Sequence, residues 1–224
     1  MAIKGAIFDM DGTVLDSMHI WIKITEEYLK KCTEDESGKI ALEEISKNAK
    51  DIGGLTLRDL AILLIKKNNL SKTPDDIITD MNMEALEGYR KTATVKPGTV
   101  EFLEELKSRN VKICMATASD RFLVEEILES HDVLKYFDKI FTCRECGANK
   151  SSPKIFEDAL DFLGTDKEST YIFEDTYTPI FTATHAGFKT IAIADKWSLP
   201  KRELIKKEAY MYVDSISDLD IDKL

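Results

Sequence analysis

Glycine and proline are scarce, ten and five residues among 224. This excludes collagen-like and low-complexity chains and favours regular elements joined by short loops. Cysteine is scarcer still. The four thiols, Cys32, Cys114, Cys143 and Cys146, are too few and too unevenly placed to frame a protein of this size with disulfides. Cys143 and Cys146 have the spacing of a metal or redox motif, but a zinc site needs two more ligands and only His131 lies nearby; reduced, incidental thiols are expected. Positive charge is in deficit, 31 Lys and Arg against 41 Asp and Glu, for a net charge of −10. Such a field repels nucleic acid and anionic membranes and leaves only local sites for small anions. No apolar run reaches membrane-spanning length, the densest being residues 60–65, and the start MAIKGAIFDMDG meets Asp9 before a signal-peptide core can form. A cytoplasmic location is therefore expected, with neither nucleic acid nor membrane as partner.

What is present is periodic. With 43% hydrophobic residues the chain has enough apolar surface for one domain, or one domain carrying an insertion. Residues 3–9 read as a short buried strand, and an apolar run with a polar tip recurs at 111–117, 139–142, 171–173 and 190–194, more weakly at 210–213. Between these runs Val100, Leu103 and Leu106 share a helical face, Leu123, Val124, Ile127 and Leu128 another, and Ile155, Phe156, Ala159, Leu160 and Leu163 a third. Ser152 before Pro153 reads as an N-cap with a first-turn proline and Gly164 as a stop, an arrangement repeated by Thr178-Pro179 and Gly187. Strands alternating with helices imply an α/β fold with a parallel sheet covered on both faces.

Residues 16–92 break the alternation. They read as helical throughout, with Ile20, Trp21, Ile24 and Tyr28 on one face and further helices at 42–45, 57–65 and 77–89; the charge run at 33–39 reads as a solvated connection. The expectation is a core of residues 1–15 and 93–224 with an inserted all-helical cap domain at 16–92, hinged near 14–16 and 92–96.

Four strand ends carry chemistry, and strand C-termini are where open α/β sheets bind ligands. Asp9 and Asp11 follow the first strand, and in an extended chain residues i and i+2 point the same way, so the pair suits a cation such as Mg2+. Gly12 then allows a sharp turn. Taken alone, the same segment reads equally as a surface turn. The second strand ends in Thr117, Ala118 and Ser119, a hydroxyl and backbone amides at the start of a helix opened by Asp120, which suits an anion. The third leads through Gly147 to Lys150, a point charge for a phosphoryl oxygen. The fourth ends in Glu174 and Asp175, able to complete an oxygen-ligand metal site. Singly, these are a strand-end hydroxyl, a solvated lysine and helix-approach charges; on successive ends of one sheet they form a set.

This set resembles the haloacid dehalogenase superfamily, in the phosphatase and β-phosphoglucomutase-like branch with a helical cap after the first motif. The resemblance rests on FDMDGTVLDS at 8–17, ATAS at 116–119, KSSPKIF at 150–156, and FEDT at 173–176 with HAG at 185–187. The first motif is the most specific. Many relatives carry glycine four residues after the last motif's aspartate, where this chain has Pro179. The resemblance implies a Rossmann-like α/β core and a phosphatase acting on a small phosphorylated metabolite, such as a sugar phosphate or a phosphoglycolate-like compound. It further implies Asp9 as nucleophile forming an aspartyl-phosphate, Asp11 as general acid and base, and Thr117, Ala118, Ser119 and Lys150 around the phosphate. Mg2+ would be held by Asp9, Glu174, Asp175 and the Asp11 carbonyl, in a monomer or weak homodimer.

A sugar-phosphate mutase is the nearest alternative. Mutases of this family place a histidine in the first cap helix, at the position that aligns with Trp21, and His19 stands two residues early. Asp11 argues against dehalogenase chemistry, the inserted helices against a phospho-receiver, and the complete set of acids against a silent binding protein. In the cap, Trp21 reads as packing, His19 as exposed, and Arg58 and Lys91 as able to reach a second anionic group; His131 and His185 read as helix-end residues.

Overall fold

Strand β1 (Gly5–Phe8) is buried along its whole length, as an apolar run covered on both faces must be. In the structure, a computed structural model that describes residues 2–32, 57–68 and 70–224, β1 lies inside a six-stranded sheet. Its other strands are β4 (Lys112–Thr117), β5 (Lys139–Thr142), β6 (Thr170–Glu174), β7 (Lys189–Ile193) and β8 (Met211–Val213). The order is β5-β4-β1-β6-β7-β8 and every pairing is parallel. From β1 the chain goes to β4 on one side and to β6 on the other, so the C-terminal end of β1 opens on the crevice where strand order reverses.

Alternation along β1 separates two cores. Ala6 and Phe8 join the apolar faces of α4 (Thr99–Ser108) and α5 (Arg121–Ser130), while Ile7 joins those of α7 (Lys154–Leu163) and α8 (Tyr177–His185). Phe8 stacks on Phe173 at 4.1 Å between centroids and receives the edges of Phe102 and Phe137. Helix α9 (Arg202–Glu208) closes the β7–β8 side through Ile205, and α6 (Cys143–Cys146) is a single turn after β5. Cys114, Cys143 and Cys146 are free thiols.

Between β1 and β4 the described residues form α1 (Met18–Cys32), α2 (Leu57–Asn68) and α3 (Pro74–Thr92). The expected helix at 42–45 and the charge run at 33–39 lie outside the described residues. Helix α3 opens with a capping box in which Thr73 and Asp76 satisfy each other's backbone amides, with Pro74 first in the helix. Its buried face, including Ile77, Met81, Ala85 and Tyr89, is continuous with Ile20, Ile24 and Tyr28 of α1. Two two-residue strands join this insertion to the sheet, β2 (Leu15–Asp16) antiparallel to β3 (Thr94–Val95). They are too short to show in hydrophobic patterning. None of the described helices is long and apolar enough to cross a membrane.

Two helix starts differ from the sequence expectation. Helix α7 begins at Lys154 rather than Pro153, and Ser152 Oγ accepts from the Lys154 amide at 3.3 Å. Helix α8 begins at Tyr177, so Pro179 is its third residue and Thr178 is not its cap. A proline there forfeits nothing, since the first four helical amides have no partner within the helix. The expected stops at Gly164 and Gly187 both have positive φ.

The ring cluster yields a stability test. Phe8→Ala is expected to lower the unfolding free energy by about 3–5 kcal/mol in urea titration. Phe122→Ala, at a residue 47% exposed, is expected to change it by less than about 1 kcal/mol.

Candidate active site

The chain leaves β1 at Asp9, whose amide donates to the Phe173 carbonyl at 2.9 Å and so stays in register with β6. It then turns tightly: the Met10 carbonyl accepts from the amides of Thr13, Val14 and Leu15, and Gly12 donates back to the Leu15 carbonyl at 2.8 Å. Gly12 has φ +84°, and a Cβ there would collide with the Asp175 carboxylate. The turn therefore needs glycine both for its backbone and for its close approach to the last motif.

This turn corrects one expectation. Asp9 and Asp11 do not point the same way as in an extended chain, because the backbone turns between them, although the Asp11 charge still adds to the rise of the Asp9 carboxyl. Asp9 groups with Glu174 and Asp175, all buried, each offering an oxygen within 4.8 Å of the others. The Asp11 carboxylate lies outside that group and accepts three hydroxyl hydrogen bonds. Ser17 Oγ donates to its Oδ1 at 2.6 Å, Tyr89 Oη to Oδ1 at 2.5 Å, and Ser119 Oγ to Oδ2 at 2.7 Å.

Lys150 is buried and donates to Asp9 Oδ1 and, at 2.6 Å, to Glu174 Oε1. Burial works against its charge, yet Asp9 and Glu174 outweigh that and hold the ammonium above the usual lysine range. Glu174 Oε2 accepts from the amides of Asp175 and Thr176 at 2.9 and 3.1 Å, so both its oxygens are engaged. Asp175 is less well served, its closest donors being Thr13 and Ser198 hydroxyls at 3.3 and 3.4 Å. Burial raises the Asp9 carboxyl to about 7, Lys150 opposing and Glu174 adding to the rise. Burial, then Glu174 and Asp9, hold Asp175 well above the usual carboxylate range. Three buried carboxylates, of which Asp9 and Asp175 resist ionisation and Asp175 is poor in donors, form the hard oxygen set that suits a divalent cation of Mg2+ type.

The β4 end meets Asp11 through the Ser119 hydroxyl. Thr117 is buried and its Oγ1 accepts from the Ser119 amide at 3.1 Å; Ala118 is exposed at the tip. Asp120 makes no side-chain cap to α5 and instead accepts from Asn82 of α3 at 2.7 Å and Arg144 at 3.1 Å. The structure thus brings Asp9, Asp11, Thr117, Ser119, Lys150, Glu174 and Asp175 to the same end of the sheet.

Several participants carry no sequence signal. Lys96, just after β3, pairs with buried Asp195 at 3.0 Å, donates to the Ala194 carbonyl at 3.0 Å and reaches the Gly12 carbonyl. One cation therefore ties the chain returning from the insertion to the first-motif turn and to the loop after β7. Tyr89 completes a helical apolar stripe and reads as core, yet its buried hydroxyl bonds Asp11 and accepts from Trp21 Nε1 at 2.8 Å. Burial, then the Asp11 charge, keeps that phenol protonated far above the usual tyrosine range. Trp21 thus does more than pack. His19 is half-buried rather than exposed and bonds Thr92 at 2.9 Å. Arg58 pairs with Asp75 and Lys91 with Glu87.

A family model described as haloacid dehalogenase-like hydrolase matches residues 6–193. The chain belongs to this family. Hydrolases of the family generally use Mg2+, in keeping with the buried acidic cluster. A pyrophosphatase of Oceanobacillus iheyensis is 27% identical over 221 residues, covering 98% of this chain and 96% of its own. A phosphorylated carbohydrates phosphatase of Thermotoga maritima is 25% identical over 193 residues, 84% of each chain. Among solved structures, the β-phosphoglucomutase of Clostridium difficile superposes with a TM-score of 0.79 at 20% identity, covering 99% of this chain and 95% of that one; at that identity the likeness is one of fold.

Lys96→Met leaves Asp195 buried without its cation and is expected to destabilise the protein by about 3–5 kcal/mol in urea titration. Lys96→Met with Asp195→Asn is expected to recover a substantial part of that loss.

Proposed function

We propose that the chain is a Mg2+-dependent phosphatase that hydrolyses a small phosphorylated metabolite in two steps, with Asp9 as nucleophile and Asp11 as general acid and base. The observation that carries this reading is the division of labour between the two acids. Asp9 sits among buried carboxylates beside Lys150, while Asp11 sits apart, held by hydroxyls that leave it free to exchange a proton.

Asp9 attacks the phosphorus of a monoester and the ester bond breaks, Asp11 giving its proton to the departing oxygen. Water then attacks the aspartyl-phosphate, Asp11 takes its proton, and inorganic phosphate leaves Asp9 free. Lys150, the Thr117 hydroxyl and the Ala118–Ser119 backbone steady the phosphoryl oxygens, and Glu174 holds Lys150 in place. Asp9, Asp175 and Glu174, with the Asp11 carbonyl, would hold Mg2+, which would supply positive charge to offset repulsion between nucleophile and substrate. Residues 16–92 act as a cap over residues 1–15 and 93–224; the β2–β3 crossing supports that division. Relatives named for pyrophosphate and phosphorylated carbohydrates support a small phosphorylated substrate.

Asp9→Asn is expected to abolish Mg2+-dependent release of phosphate from p-nitrophenyl phosphate while leaving the unfolding midpoint close to that of the parent. EDTA is expected to stop the parent enzyme and added Mg2+ to restore it. Wild-type turnover in a folded Asp9→Asn protein rejects the nucleophile assignment. Asp11→Asn is expected to slow phenyl phosphate hydrolysis by a factor of about 10² to 10⁴.

Product analysis with β-glucose 1-phosphate and a trace of the 1,6-bisphosphate separates hydrolase from mutase. Free phosphate is the expected product, since Trp21 occupies the aligned cap position and its indole is committed to Tyr89. Efficient formation of glucose 6-phosphate overturns that choice.

A further inference from the structure

Asp11 has two oxygens, and its hydrogen bonds distinguish them. Oδ1 accepts from Ser17 and Tyr89 and Oδ2 from Ser119. Serine hydroxyls can reverse, donating in one state and accepting in another. Tyr89 is more constrained, because its oxygen accepts from Trp21 Nε1, and an indole N–H has no lone pair with which to accept in return. The phenol hydrogen therefore points away from the indole, and although the Ser119 hydroxyl also adjoins the phenol, the charged Asp11 Oδ1, 2.5 Å off, is the acceptor that takes it. A carboxylic O–H oxygen is a poorer acceptor than the carbonyl oxygen beside it, so a proton on Oδ1 weakens the hydrogen bond from Tyr89 and leaves Oδ2 the favoured place for it.

We propose that Tyr89, its hydroxyl direction fixed by Trp21, is a positioning residue that keeps Asp11 Oδ1 an acceptor and so confines the catalytic proton to Oδ2. This rests on the reading of Asp11 as acid and base. Oδ2 is the oxygen shared with Ser119, at the β4 end where the phosphate is expected, and the Ser119 hydroxyl reverses to accept when Oδ2 is protonated. In the first half-reaction the Oδ2 proton passes to the ester oxygen as its bond to phosphorus breaks and the Asp9 oxygen–phosphorus bond forms. In the second, Oδ2 takes a proton from water as the water oxygen bonds phosphorus and Asp9 departs.

The relay also links Asp11 to the helical insertion. Trp21 lies in α1 and Tyr89 near the end of α3, and their rings meet edge to face with centroids 6.2 Å apart. Ser17 stands between β2 and α1. The start and the end of the insertion thus each contribute a donor to the same carboxylate oxygen.

The test compares leaving groups, because p-nitrophenolate departs without a proton and phenolate depends on one. It uses kcat/KM, which reports the steps through departure of the alcohol. In the Mg2+-loaded enzyme, Tyr89→Phe is expected to lower the ratio of kcat/KM for phenyl phosphate to that for p-nitrophenyl phosphate about tenfold, and Trp21→Phe to lower it less. In an Asp11→Asn background, adding Tyr89→Phe is expected to change the ratio by less than about twofold, since no carboxyl proton remains to be placed. Equal losses on both esters, or losses from Tyr89→Phe and Asp11→Asn that multiply, overturn the proposal and leave Tyr89 a packing residue. Asp11→Asn turning over phenyl phosphate as fast as the parent overturns the acid–base reading beneath it, a distinct result. Tyr89→Phe keeps the ring, and matching unfolding midpoints separate loss of the hydroxyl from loss of the fold.

Discussion

Lys150 brings an ammonium into a buried space that already holds the carboxylates of Asp9 and Glu174, with Asp175 beside them. Each charge removed from water costs several kcal/mol, and that cost is offset only where opposite charges and dipoles are held at hydrogen-bond distance. This constraint explains much of the surrounding architecture. The acids stand on the ends of two paired strands, β1 and β6, so their spacing is set by the sheet ladder rather than by side-chain preference. Glu174 spends its second oxygen on two backbone amides at the approach to α8, where uncoupled amide dipoles favour negative charge. Gly12 lets the first-motif turn lie against Asp175.

Much of the fold was legible because buried parallel strands announce themselves as apolar runs. All six strands of the sheet were located to within two residues at each end. What escaped was either too short or too distant in sequence. The strands β2 and β3 have two residues each, less than one period of any pattern. The Lys96–Asp195 pair joins a hinge residue to a loop that follows a different strand, and nothing local marks either partner. Helix starts were misplaced by one or two residues because proline fixes a backbone angle in the first turn without fixing its place in that turn.

The site shows the same division. Motif spacing brought out Asp9, Asp11, Thr117, Ser119, Lys150, Glu174 and Asp175, each on a strand end or the loop after it. It did not separate Asp9 from Asp11, since treating residues 9–11 as extended ignores the turn at Gly12. Nor did it find Tyr89. Periodicity reports which face of a helix is buried and is silent on the atom at the tip of an aromatic ring. Trp21 and Tyr89 therefore read as hydrophobic bulk, although their polar atoms form a donor chain that ends on Asp11.

The two-residue ladder of β2 and β3 has a consequence of a different kind. Leu15 faces Val95 and Asp16 faces Thr94, and antiparallel partners stand about 5 Å apart. The helical insertion thus leaves and rejoins the sheet through a doorway one strand pair wide, whatever its own length. To the sheet, the insertion is a closed loop whose ends are already joined, and the entropy of closing such a loop rises only slowly with its length. Length can be added to or taken from the insertion while β1 and β4 keep their places. The doorway thus leaves the length of the insertion free, while Trp21 and Tyr89 remain the residues through which its helices reach Asp11.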